Sequence, residues 1–288
     1  MKVHSNPHTH TTFCDGKSTP QEQVLSALQK GFTALGFSGH ALTSFDLSCC
    51  MTLEKYPEYL RQLRRLRQQY WGQLDILIGM EQDSAQLIKA EDFGLPAGTP
   101  KEEWPIQYRI ASVHCIPSPQ GGLPYVIDST QEDVARCCDE AFGGDGLTMA
   151  KAFFKEAVRN AWEGQGDILG HFDLIRKLNN GRFFDEESPE YQKIALDALE
   201  EAAEAGIPFE VNTSGFRYGA QNAPYPAIFL LRRLAQRKIP IILSSDCHLA
   251  SQLDFQFERT EELLRELGFD SVLELDGGAA LFKETSLR

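Results

Sequence analysis

No run of apolar residues in this 288-residue chain is long enough to cross a bilayer, so no membrane role is expected. The opening stretch MKVHSNPHTHTT lacks the apolar segment of a secretory signal, which points to the cytoplasm. Cationic side chains are scarce: 28 Lys and Arg face 41 Asp and Glu, a formal charge of −13. That balance argues against a sequence-independent nucleic-acid binder, which needs clustered Lys and Arg to displace counterions. The same field would repel a phosphorylated small molecule, so a phosphate-handling site here needs strong local cations, with bound metal ions the obvious supply. The seven cysteines (14, 49, 50, 115, 137, 138 and 247) are odd in number and include two adjacent pairs. No disulfide framework follows from that spacing, and a reducing compartment suits it.

What is present is an alternation of short β-like runs with helical patterns, unbroken by a repeat or linker, so residues 1–288 read as a single domain. Strand candidates are 2–8, 34–40, 75–81, 108–114, 167–171, 208–212 and 239–246; helical patterns cover 20–30, 54–70, 130–141, 148–162, 189–205 and 224–237. Ser188-Pro189-Glu190 combines a cap, Pro at the first helical position and acid in the first turn. Gly31, Gly206 and Gly268 stand where helices end. Alternation of this kind predicts an α/β fold with a parallel sheet, either a closed barrel or an open doubly wound sheet. Strand ends favour the barrel: His8, His40, Glu81, His114, His171, Asn212 and Asp246 each close a run. Barrel enzymes gather their working residues at the C-terminal ends of the strands, whereas an open sheet would spread these seven along one edge.

These strand ends are metal-ligand types. His8 and His10, two apart in an extended segment, share a face, and Asp246 and His248 repeat that spacing. Glu81, His40, His114 and His171 supply further imidazole and carboxylate donors, a set suited to Zn, Mn or Fe. His4, inside the first run, reads as structural. Asp15, in the turn-like TTFCDG, is either a turn residue or a ligand folded over the site. Cys115 and Cys247 should point away from the site by strand alternation. Arg159, Lys177 and Arg217 are the candidate phosphate contacts, with Ser112, Asn212 and Ser214 as further polar contacts and Asp173 as a carboxylate that orients a ligand. Leaving-group protonation is open among Asp246, His248 and a water.

The motifs HTHTTFCDG, GFSGH, GMEQD, ASVH, LGHFDLIRK, EVNTSGFR and SSDCH resemble, in order, those of the polymerase-and-histidinol-phosphatase (PHP) superfamily, and within it the monofunctional histidinol-phosphate phosphatases. The resemblance runs from residue 6 to about residue 250. It implies a distorted (β/α)7 barrel, TIM-like, holding three divalent metal ions. One ion would take His8, His10, Glu81 and Asp246; a second would share Glu81 and add His114 and His171; the third would use Asp15, His40 and His248. It further implies a phosphomonoesterase of histidine biosynthesis in which hydroxide, formed from water between two cations, attacks phosphorus. Glu81, Asp246 and His248 would be its catalytic residues, and a small phosphate ester, first L-histidinol phosphate, its substrate. Another superfamily phosphoesterase, an amidohydrolase on a similar barrel, and a non-catalytic PHP module are the rival readings. The oligomeric state is not legible.

Overall fold

The computed structural model describes residues 2–218 and 222–288. Strands β1 (Ser5–Asn6), β2 (Ala34–Phe37), β3 (Asp75–Asp83) and β4 (Tyr108–Ser112) pair in parallel, one beside the next. A small antiparallel hairpin, β5 (Cys115–Ile116) with β6 (Tyr125–Val126), then leaves the sheet. The parallel order resumes with β7 (Ile168–Leu169), β8 (Phe209–Asn212) and β9 (Ile241–Ser244). Beyond β9, β10 (Ser271–Leu275) adds in parallel and β11 (Phe282–Ser286) in antiparallel.

The seven expected strands are all present, and their ends meet. His10 N–H donates to Cys247 O at 2.8 Å and Cys247 N–H to His8 O at 3.0 Å, so the segments following β1 and β9 bridge and close the ring on the C-terminal side. On the opposite side β10 fills the gap, with Leu275 N–H bonded to Ser5 Oγ at 3.1 Å. This is a distorted α/β barrel, as expected. The β10–β11 hairpin and the β5–β6 hairpin were not foreseen. The first run is also shorter than 2–8, because Pro7 has no N–H to give a ladder.

The helices are α1 (Pro20–Gln29), α2 (Tyr56–Gln69), α3 (Gln131–Arg136), α4 (Gly146–Glu163), α5 (Pro189–Ala203), α6 (Ile228–Arg237) and α7 (Phe257–Glu266). Thr19 and Glu22 form a capping box at α1, and Ser188 caps α5 ahead of Pro189. Helix α6 begins four residues later than its pattern predicted. Pro224 and Pro226 bar earlier N–H donors, and Tyr225 is tied instead to Asn212 by two backbone bonds of 2.7 and 2.9 Å.

Inside the ring, Ala34, Leu77, Ile110, Ile168, Ile242 and Leu275 form an apolar floor. Tyr108 stands on it, and its hydroxyl donates to Pro7 O at 2.5 Å. Gly36 and Gly79 make that possible, since a Cβ on either would lie 2.2 or 2.5 Å from Tyr108 atoms. Above this layer the interior turns polar.

Candidate metal centre

Three local devices aim the side chains. Thr9 is pinned outward, its hydroxyl on Gly36 O at 2.6 Å, so His8 and His10 on either side both turn in. A bridge joins His40 to Glu81, with Ala41 N–H on Glu81 O at 2.8 Å, bringing the end of β2 to the middle carboxylate. Asp246 adopts φ of 49°, a left-handed backbone that costs a non-glycine residue about 1–3 kcal/mol and is tolerated chiefly where function holds it.

Glu81 is the hub. Its Oε2 lies 3.1 Å from His8 Nε2, 3.4 Å from His10 Nε2 and 3.0 Å from His40 Nδ1. Its Oε1 lies 3.2 Å from His114 Nε2 and 3.0 Å from His171 Nε2. Asp246 Oδ1 is 3.2 Å from His10 Nε2, and Asp15 Oδ2 is 3.1 Å from His248 Nε2. Donor atoms of His10, Asp15, His40 and His248 lie within 4.8 Å of one another, as do those of His8, His10 and Asp246, and those of His40, Glu81 and His114. His8 Nε2, His10 Nε2, Glu81 Oε2 and Asp15 Oδ1 are buried without a hydrogen-bond partner. Buried polar atoms are ordinarily satisfied, so convergent orphans of this chemistry fit divalent cations.

The electrostatics agree. Burial opposes charge on His8, yet Asp246, Glu210 and Glu81 outweigh it and hold the imidazole well above its usual pKa. Burial is likewise overcome at His10 by Asp15 and Asp246, and at His114 by Glu81 and Asp83. Conversely, burial would raise Glu81 and Asp246, but the surrounding imidazoles push both well below the carboxylate range. Asp15 is lowered too, against its burial, by His10 and His248. Without cations, protons hold this cluster together.

The centre opens into a cavity of about 440 Å³. Lys177 and Arg217 line it, as expected; so does Ser214. Arg217 stacks on Phe255, 4.3 Å from the ring centroid, while its Nε and Nη2 are buried without hydrogen-bond partners. Lys177 Nζ is 3.5 Å from Asp128. Arg159 lies outside the lining: its guanidinium is spent on Glu156 of α4 at 2.7 Å and on Ser84 O, just past β3, at 2.9 Å. Ser112 is wholly buried in the layer beneath the cavity, where a Cβ on Gly170 would meet its Oγ at 2.5 Å. Asp173 takes the N–H of Ala227 at 2.8 Å and Arg176 at 2.9 Å, so it anchors a loop instead of orienting a ligand. Cys115 lines the cavity, contrary to the alternation argument, because regular strand geometry ends at Ser112; Cys247 is packed away as expected. All seven cysteines are free. Two residues were overlooked. Asp83 accepts from His114 N at 2.8 Å and sits 3.2 Å from its Nδ1; Glu210 lies 2.6 Å from His8 Nδ1. Both fall one strand period from residues already singled out, Glu81 and Asn212, and that spacing could have revealed them.

The profile of the PHP domain matches residues 6–214. The chain belongs to the PHP domain family. Among curated relatives, a Deinococcus radiodurans protein named "Probable histidinol-phosphatase" is 29% identical over 267 residues, covering 91% of this PHP chain and 92% of that protein. The histidinol-phosphatase of Bacillus subtilis is 24% identical over 266 residues, covering 87% and 96%. The solved structure of the Lactococcus lactis histidinol phosphate phosphatase, complexed with zinc, L-histidinol and phosphate, superposes with a TM-score of 0.65 at 19% identity, covering 96% of this chain and 97% of that one. At that identity the likeness speaks to the fold. Among the described residues of this PHP chain, no helix is long and apolar enough to cross a membrane.

Proposed function

We propose that this PHP-family chain is a metal-dependent phosphomonoesterase acting on L-histidinol phosphate, working in the cytoplasm with residues 1–288 as one catalytic unit. The observation that carries the reading is the convergence of five imidazoles on the two oxygens of Glu81, beside a cavity into which Arg217 brings unpaired donors. Three cation positions are supported by three groups of convergent donors, His8, His10 and Asp246; His40, Glu81 and His114; and His10, Asp15, His40 and His248, with His171 against Glu81 beside the second. Divalent cations held there supply positive charge at the phosphoryl oxygens and acidify water for attack on phosphorus. Arg217 offers Nε and Nη2 as a fork for two phosphoryl oxygens, and Lys177 adds a second positive charge. The proton for the departing oxygen would come from a water at the cavity edge, beside Asp246 and His248. The names of the curated relatives guide the choice of substrate, and the seven free thiols suit a reducing compartment.

The test is a phosphate-release panel on protein loaded in turn with Zn, Mn and Fe, with metal content measured per chain. L-histidinol phosphate should be preferred over sugar phosphates and nucleotides by at least about tenfold in kcat/KM, a difference of roughly 1.4 kcal/mol in transition-state binding. A protein that carries no cation, or prefers another ester, would overturn the proposal.

A further inference from the structure

One fully buried carboxylate has no part in the proposed chemistry, yet it holds two members of the centre. Glu210 is 0% exposed and takes four partners. Oε2 accepts from the His171 backbone N–H at 2.7 Å and from Asn212 Nδ2 at 3.1 Å. Oε1 meets Ser244 Oγ and His8 Nδ1, each at 2.6 Å. The Asn212 amide cannot be turned round, since its Oδ1 accepts from Ser214 N–H at 2.9 Å. Oε2 is therefore filled by two groups that can only donate, so a proton could sit only between Oε1 and His8 Nδ1, where the imidazole, the stronger base, holds it.

We infer that Glu210 is a positioning residue that locks His8 in its Nδ1–H form, leaving the Nε2 lone pair facing Glu81 and Asp246 for a cation, while the same carboxylate fixes the backbone of His171. It rests on the metal-dependent reading of the centre. Carboxylates in this position orient metal-binding imidazoles generally, and their loss typically weakens metal binding by about 10–100-fold. Glu210→Gln probes the lock with little change of shape. Its single acceptor oxygen is best kept on His171 N–H and Asn212, which turns the new NH2 towards Ser244 and His8. The Ser244 hydroxyl can rotate to accept; His8 can accept only by moving its proton to Nε2, which removes the lone pair.

Two measurements on the zinc-loaded protein test this. In long-range 1H–15N spectra, with His8 assigned by its loss in His8→Gln, the wild type should show a proton on Nδ1 and zinc on Nε2. Zinc on Nδ1 would overturn the inference, and this readout needs no Glu210 variant to fold. Zinc affinity by chelator competition should fall about 10–100-fold for one ion per chain in Glu210→Gln and stay unchanged in Ser244→Ala. Equal affinity in Glu210→Gln and wild type would refute the lock while leaving the phosphatase reading intact. A wild type that binds no zinc would end both, and a zinc protein that fails to hydrolyse L-histidinol phosphate would end only the latter.

Discussion

Removing the cations should invert the pH dependence of stability. In the metal-free protein His8, His10 and His114 bind protons more tightly folded than unfolded. Groups shifted upward give stability that is complete below their unfolded value, about pH 6.5, and is lost as pH climbs through the raised folded value. Glu81, Asp246 and Asp15 are shifted down, so their share is present above about pH 4 and is lost as pH falls. These are the same contacts viewed from opposite partners, and together they place the optimum of the metal-free protein between about pH 4.5 and 6.5. Above it, three imidazoles each releasing one proton give a slope of at most about 4 kcal/mol per pH unit. For a chain of this length that is a fall of up to roughly 7 °C per unit. A divalent cation must displace those protons, so its stabilising effect grows over the same interval. Scanning calorimetry from pH 5.5 to 8.5, in EDTA and in saturating zinc, should show the two Tm curves diverging as pH rises. A metal-free protein that gains stability between pH 6.5 and 8.5 would refute the argument, because the cluster would then not be held by protons.

Four substitutions probe other links. Glu81→Gln, measured by metal content and phosphate release, should lose at least one ion per chain and reduce turnover below about 1%; in EDTA near pH 6 it should cost about 3–5 kcal/mol, because protonated imidazoles lose their buried partner. Arg217→Met should raise KM by about 10–100-fold, the worth of one charged hydrogen-bond fork, with Tm unchanged, whereas Arg159→Ala should leave kcat/KM within about twofold since Glu156, Glu163 and Ser84 O engage its guanidinium outside the cavity lining. Gly36→Ala should lower stability by about 1–3 kcal/mol, read by denaturant unfolding, since its Cβ would fall 2.2 Å from the Tyr108 hydroxyl.

The barrel could be read in the sequence because strand ends have a chemical signature: an apolar run stops at His, Glu or Asp, and a helix follows. His8, His10, Glu81, His114, His171 and Asp246 all lie together as that signature requires. Side chains beyond the strand ends were less legible. Arg159 and Arg217 look alike in sequence, and only packing distinguishes them: Phe255 holds one guanidinium against the cavity, while Glu156 and Glu163 retain the other on α4. Cys115 escaped the alternation rule because the chain leaves the sheet at Ser112, two residues before His114 ends its run. Glu210 was hidden for a different reason. Its run FEVN reads as an ordinary buried strand, and nothing local says that the four donors around one acid come from β1, β7, β8 and β9 or from the residues just beyond them.

The acidity of the whole chain recurs in miniature at the cavity, and it fixes what the cations must do. Asp15, Asp46, Glu81, Asp83, Asp128 and Asp246 line it against Lys17, Lys177 and Arg217, leaving −3 when the imidazoles are neutral. A phosphate ester is itself an anion, and a wall of that sign opposes its entry. One divalent cation leaves the wall at −1, two bring it to +1 and three to +3, so phosphate binding should switch on with the second equivalent and strengthen with the third. Calorimetric titration of inorganic phosphate at pH 8.5 into protein carrying zero to three zinc ions tests the count. Repeating it at pH 6 separates the sources of charge: there His8, His10 and His114 carry protons in the metal-free chain, and weak phosphate binding should return without any metal. Binding at pH 8.5 to protein with one zinc or none would mean that Arg217 and Lys177 suffice, and the need for a multi-cation centre would lapse.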